Sequence, residues 1–408
     1  MLHNAPSPGK AFWAAPLPYV VALVVTPLAV LAGRLAGRPW LGETLGPHGM
    51  APWLALAGFA VLAALAARAK ADKPKWPLAA AGGILAALAW VLARALTQIL
   101  AQAEDLAPLF DELRLPALVC FALLWAWSFG APRRESLARA AAVLGALVTL
   151  DFLLTAIMAR GVVPGGGYLF GETPGMADLL ATLLCVGLAA TTADAPAPGT
   201  PRLARWLILA GLFASGSRAG MAAGAAVCIF AETGPLTKRL GMALALLLAL
   251  YAGLVLPLQR PAGDDLGLDW YYAATFQAVG QDARALWGGL PLDEPVALAM
   301  PELQGFSFDG ESEGLPVSAC QIPVSWLRLL AGWGLCGVLA VFFAAGVCLR
   351  RGRNRFGAAL AIVLGIGGAL APVLHAPATA ATLALAFIAA ARRAPAPDAQ
   401  APQSGDGI

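Results

Sequence analysis

The stretch Trp326–Leu327–Arg328–Leu329–Leu330–Ala331–Gly332–Trp333–Gly334–Leu335–Cys336–Gly337 continues without a charge to Leu349 and then meets Arg350, Arg351, Arg353 and Arg355. It holds one charge in 24 residues. A bilayer core about 30 Å thick is crossed by about 20 apolar residues wound as helix, because lipid offers no partner to unpaired backbone groups. A basic cluster straight after such a run marks the cytoplasmic end of a span. The segment therefore reads as a helix that starts at the outer face near Trp326 and ends inside at Arg350.

The same pattern recurs along the chain. Twelve ranges read as spans: 12–33, 51–67, 77–99, 114–130, 137–159, 175–192, 202–214, 219–232, 239–257, 326–349, 356–373 and 376–391. The seventh and eighth are short, and read either as two tightly linked spans or as a re-entrant pair. Of the 408 residues 59% are apolar and 12% charged, with a mean hydropathy of +0.73. A soluble domain is about 25% charged, so the composition excludes an ordinary cytosolic enzyme, a disordered chain and a nucleic-acid binder. With both termini inside, 18 of the 27 Lys and Arg fall on inner segments. The fold class is therefore all-α, a polytopic membrane bundle of about twelve helices with one long periplasmic loop. Its parts are an N-terminal bundle of about nine spans over 1–257, the loop over 258–325, C-terminal membrane helices over 326–393 and a disordered cytoplasmic tail over 394–408. The first span reads as retained, since no small-residue cleavage site follows it. The cysteines form no CxxC or Cys/His cluster, so neither a metal site nor a disulfide frame is expected. No cofactor is implied.

Three outer segments carry the candidate chemistry. The turn Ser215–Gly216–Ser217–Arg218 sits between two apolar runs. An Arg at the hydrocarbon boundary is costly unless it faces a cavity or an anion, and the small-residue turn offers backbone N–H groups to one. The bland alternative is a snorkelling side chain. The second segment is a glycine-rich loop from Arg160 through Tyr168, Phe170, Glu172 and Pro174; alone it reads as a flexible connector. The third is the helix start at Trp326, where Arg328 lies about one turn in, either functional or an interfacial anchor. The loop between residues 258 and 325 is acidic, with ten carboxylates against Arg260 and Arg284. Its Trp270–Tyr271–Tyr272 and Phe306–Phe308 aromatics lie at the interface or stack on sugar rings.

In this order, and around one long outer loop, these elements resemble the O-antigen ligase and O-antigen polymerase family of membrane glycosyltransferases. Phe170–Gly171–Glu172–Thr173–Pro174 is similar to the family's F-x-N-P-N element. Ser215–Arg218 is similar to its T-x-S-R turn, and Trp326–Gly337 to its H-N-x-x-L-Q-x-L-x-E-x-G-x-x-G helix start. The likeness covers roughly residues 160 to 390. It implies the GT-C-like ligase fold in a bacterial inner membrane. It also implies transfer or polymerisation of glycan from an undecaprenyl-diphosphate donor at the periplasmic face, for lipopolysaccharide or exopolysaccharide. The acceptor would be a glycan or a lipid A-core sugar, with membrane lipids and a polysaccharide-assembly complex as surroundings, and no nucleic acid. By the same likeness Arg218, with Ser217, Ser215 and Arg284, would bind the diphosphate, since fixed cations stabilise such a leaving group.

The chain departs from that pattern at Pro323, which stands where the family has its histidine, and at Gly332, which replaces the helix acid. Its three histidines are His3, His48 and His375. His48 and His375 lie at the outer face and read as structural or as lining a cavity. Glu311 and Glu313 are the alternative candidates for the base. Arg328, Arg160, Asp151 and Arg94 are supporting positions, with Asp151 and Arg94 expected to pair inside the membrane. Two other functions stay open. The missing histidine suits a non-catalytic relative that binds polyprenyl-linked glycan. Twelve spans also suit a polysaccharide or lipid transporter, although no internal repeat is visible.

Overall fold

The computed structural model describes residues 14–69, 107–158, 169, 175–191, 202–232, 235–255, 268–291, 296–298, 315–317, 319–352 and 354–391. The described chain is almost wholly helical. Its helices are α1 (Leu17–Leu35), α2 (Pro39–Leu45), α3 (Ala51–Ala69), α4 (Ala107–Glu112), α5 (Arg114–Phe129), α6 (Arg134–Met158), α7 (Met176–Thr191) and α8 (Arg202–Ser215). They continue as α9 (Arg218–Phe230), α10 (Leu236–Val255), α11 (Leu268–Gly280), α12 (Ala283–Gly288), α13 (Ser325–Gly352), α14 (Arg355–Leu370) and α15 (Pro377–Ala390). Eleven of the twelve ranges expected to span coincide with helices; the third, 77–99, lies outside the described residues, as does the tail over 394–408. Four helices are long and apolar enough to cross a membrane by length and composition: Leu17–Leu35, Phe110–Phe129, Arg134–Met158 and Ser325–Arg350. Several shorter apolar helices accompany them.

The expectation of a purely helical chain needs one amendment. Val296–Leu298 and Leu315–Val317 in the long loop pair as a two-stranded antiparallel ladder, with Val296 opposite Val317. Each strand holds one Val and one Leu, and Pro316, opposite Ala297, has no N–H to give the ladder, which keeps the pair short. A second local departure lies in α1, where Val21–Val25 winds as a π-turn. Pro27 follows it. A proline inside a helix lacks an N–H and its ring crowds the carbonyl one turn back, so the extra residue per turn relieves that position. The Thr26 hydroxyl donates to the Ala22 carbonyl at 2.8 Å in the same turn.

Helix α7 is the centre. From Leu179 through Ala190 every residue is buried, as expected of a helix that is apolar all round. It packs against α6, α8, α9, α14 and α15. Small residues let these helices meet closely. A Cβ built on Gly145 of α6 would stand 2.3 Å from the Leu207 carbonyl oxygen of α8, and one on Gly211 2.7 Å from the Gly145 Cα. Gly220 of α9 meets Ala181 of α7 as closely, at 2.3 Å.

The ends of the bundle differ. At one end Arg205 of α8 grips Glu232, with Nη1 at 2.5 Å from Oε1 and Nη2 bound to Oε2. Arg239 donates to the Ile229 carbonyl and Arg355 to that of Glu232. Asn354 caps α14 and donates to the Ala390 carbonyl at 2.8 Å. The other end carries the loop helices. Tyr271, Ala319, Ile322, Val324, Leu327 and Ala331 form a small core of their own there, with Leu113, Tyr272 and Leu290 against it.

Candidate functional site

Around this second end the backbone is stitched together element by element. Ser325, the first residue of α13, donates its amide to the Ala371 carbonyl at 3.1 Å. Its hydroxyl accepts from the Leu374 amide at 2.9 Å. Ala378 donates to the Pro47 carbonyl at 3.2 Å, which ties α15 to the loop before α3. Gly175, ahead of α7, faces Pro372, since a Cβ there would lie 3.9 Å from the proline ring. The Tyr272 hydroxyl of α11 donates to the Ala369 carbonyl at the end of α14, at 2.6 Å.

A charged cluster lies among these elements. Glu112, at the junction of α4 and α5, is fully buried. Arg328 Nε stands 2.6 Å from its Oε1, and Trp333 Nε1 donates to its Oε2 at 3.1 Å. His375 Nε2 faces the same Oε2 at 3.5 Å. A buried carboxylate needs such compensation, because an unpaired ion in low dielectric is costly. Both nitrogens of the buried His375 ring lack a hydrogen bond among the described residues. Burial lowers the His375 pKa below its ordinary value; Arg328 pushes the same way, and Glu112 opposes both. The imidazole is therefore held neutral at pH 7, next to a guanidinium–carboxylate pair. His48 is shifted in the same direction, by burial first and by Arg114 second.

The sequence-derived candidates fall into distinct roles. Arg218 opens α9 and its residue is exposed. Gly216 takes φ +65°, a conformation in which glycine avoids the Cβ penalty, so the turn reverses within two residues. Ser215 Oγ donates to the Leu212 carbonyl at 2.7 Å and accepts from the Ser217 amide at 3.3 Å. Ser217 is the N-cap of α9: its Oγ accepts from the Gly220 amide at 2.9 Å. The same hydroxyl donates to Asp178 Oδ1 at 2.5 Å. Both serines are thus engaged in building the turn, a cap of this kind stabilising a helix by about 0.5–2 kcal/mol. Arg284 is exposed in α12, whose N-cap is Asp282. Asp151 is buried and accepts from the Leu169 amide at 2.9 Å, which fastens the glycine-rich segment to α6. Arg94, Arg160, Glu311, Glu313 and the Phe170–Pro174 element lie outside the described residues.

Sequence reasoning assigned no role to Glu112, Asp178 or the Trp333 N–H. One signal was available for the acids: each lies at the edge of an apolar run, where a carboxylate usually has a partner. The spacing of His375 in the sequence gives no sign of its neighbours Glu112 and Arg328.

Helix α12 reaches the cluster through glycine. Gly334 breaks α13 with φ +65°. A Cβ there would meet the Trp287 carbonyl group at 2.4 Å, and one on Gly289 the Gly332 carbonyl group at 2.6 Å. Leu290 donates to the Ala331 carbonyl at 2.7 Å. The glycines of the third sequence element therefore seat the loop helix against the start of α13.

The neutral His375 has a consequence for pH. Its folded pKa lies below the unfolded value, so the unfolded chain binds more protons and stability rises with pH in that range. On acidification, stability should start to fall near the ordinary histidine value of 6.5. Thermal unfolding in detergent between pH 8 and 5 should show this decline, and His375→Gln should flatten it. A wild-type profile that is level across this window would contradict the assignment.

Comparison with models of known families and with curated proteins finds no match. The residues of the site form a class of arrangement rather than a named one: a membrane helix bundle whose one end joins exposed arginines, a buried carboxylate–guanidinium–imidazole cluster and two docked loop helices.

Proposed function

We propose that the chain is a membrane glycosyltransferase of the O-antigen ligase or polymerase type, working on a polyprenyl-diphosphate-linked glycan at the outer face of a bacterial inner membrane. The observation that carries this reading is the convergence at one bundle end of the Ser215–Arg218 turn, the α13 start with Arg328, and the loop helix bearing Arg284. Ser217 binds Asp178 of α7, Gly175 before α7 meets Pro372, and Leu374 binds Ser325. The chain of contacts is continuous.

The chemistry asks for cations at a departing diphosphate and for a proton acceptor at the attacking hydroxyl. Arg218 and Arg284 supply exposed guanidinium groups suited to gripping phosphate with parallel hydrogen bonds. The Ser325–Leu374 bond carries His375 to the helix start that the family heads with its own histidine. His375 is neutral there and stands beside a carboxylate. The orientation rests on charge: the opposite end holds Arg205, Arg239 and Arg355, as a cytoplasmic end does.

The test is turnover in vesicles. Purified chain with a polyprenyl-diphosphate glycan and a glycan or lipid A-core acceptor should yield transferred or lengthened glycan. Arg218→Ala should lower the rate about a hundredfold, the loss typical of removing one donor to developing charge. Absence of product from the wild type with both acceptor classes would overturn the proposal. Pro323 favours one second reading, a non-catalytic glycan-binding relative; such a protein would bind the donor without consuming it.

A further inference from the structure

We propose that the loop helices α11 and α12 are inserted in the membrane, with Phe276, Leu286 and Trp287 lying among the lipid chains of the nearest leaflet instead of in water. This does not depend on the glycosyltransferase reading. The height at which the two helices are fastened to the bundle carries the inference. Gly334 of α13, whose backbone meets the Trp287 carbonyl group, lies 16 positions before the exposed Arg350. That separation is about 24 Å of helix. The Tyr272 hydroxyl of α11 binds the carbonyl of Ala369, 14 positions after Arg355 at the same basic end. That is about 21 Å of helix. The hydrocarbon core is about 30 Å thick, and tilting either span only shortens both heights. With the arginines at one edge of the core, both fastenings fall within the apolar layer and not above it.

The residues at the contact suit that level. Hydrocarbon offers backbone groups no partner, and the amides of Leu286, Gly289 and Leu290 donate to the carbonyls of Asp282, Ala285 and Ala331. From Trp270 through Gly280 there is no charge, although the loop holds ten carboxylates. Tyr271 is buried, so the outward aromatics among the described residues of the pair are Phe276 and Trp287, 57% and 52% exposed, with Leu286 at 38%. In the turns that follow Gly334, α13 likewise exposes Leu339, Phe342 and Phe343. Polarity along α12 runs the same way. The exposed Asp282 and Arg284 come first, and Leu286 and Trp287 last, beside Gly334. An arginine at a membrane edge lays its stem along apolar surface and keeps its head in water, and an indole ring favours the same boundary. At thirteen and six residues α11 and α12 are too short to cross the bilayer, so they occupy one leaflet.

The experiment uses the full chain in phosphatidylcholine vesicles. Benzoylphenylalanine, which couples to neighbouring C–H bonds on illumination, is placed in turn at Phe276, Trp287, Phe343 and Gln281, and adducts on the lipid chains are read by mass spectrometry. Phe343, 75% exposed on α13, marks full lipid contact, and the exposed Gln281 marks the polar start of α12. The Phe276 and Trp287 positions should each give adduct within threefold of Phe343 and at least fivefold above Gln281. Phe276 lies outside the glycine contact, so its substitution keeps the test informative even where that of Trp287 fails to fold. A yield at either position no higher than at Gln281, in protein with unchanged helical content, would overturn the proposal and leave these rings in water, open to a sugar face or a soluble partner.

Discussion

Glu112→Gln should destabilise the bundle by about 3–5 kcal/mol, the usual result of removing one partner from a buried ion pair. The carboxylate is fully buried and is the partner of Arg328, whose side chain is only 12% exposed. Without its charge the guanidinium loses its carboxylate partner in low dielectric. The amide that replaces it also turns an acceptor of the Trp333 and Arg328 N–H groups into a mixed donor and acceptor. Unfolding in detergent, followed by tryptophan fluorescence, measures the loss. The double variant Glu112→Leu with Arg328→Met should recover most of it, because an apolar pair of similar volume needs no compensation. A single variant as stable as the wild type would mean that water reaches the pair. A double variant as unstable as the single would mean that shape, not charge, dominates.

Gly334→Ala is the second large effect. At φ +65° an L-residue costs about 1–2 kcal/mol, and forcing a methyl into a packed contact adds about 1–3 kcal/mol. The atoms it meets are the backbone carbonyl of Trp287, which cannot rotate away as a side-chain tip can. The expected outcome is that α12 leaves α13 while the membrane helices stay folded, since α12 contributes little to the main core. Limited proteolysis next to Arg284 reports it: cleavage there should speed up at least tenfold, with helical content unchanged. Cleavage at the wild-type rate would show that the contact between α12 and α13 is not what holds the loop helix.

These two residues also show what was legible in the sequence. The helical bundle was, because apolar run length and flanking charge act locally and need no knowledge of neighbours. Gly334 was visible as part of a glycine-rich helix start, but its role was not. That role depends on α12, more than forty positions earlier in the chain, arriving against its backbone. Arg328 was read as an interfacial anchor or a supporting cation, and its partner Glu112 lies 216 positions away, beyond any spacing rule. The ladder at Val296–Leu298 was hidden in a long polar loop, where three residues per strand give no periodicity. Ser215 and Ser217 illustrate the reverse case. A small-residue turn announces exposed amides, yet the serines bind their own turn and Asp178, which no pattern in Ser215–Arg218 discloses.

The glycine crossing of α6 and α8 bears on how such a molecule can work. Where Gly145 and Gly211 touch, the two backbones are keyed like teeth, with no side chain between them to yield. One helix away Gly220 makes a similar close contact, with the Ala181 methyl. Helices in switching proteins shift past their neighbours by about 1–2 Å. A carrier that rocks half of its bundle against the other would have to unlock both teeth in every cycle. A machine that holds its frame still and moves only what lies on its surface would not.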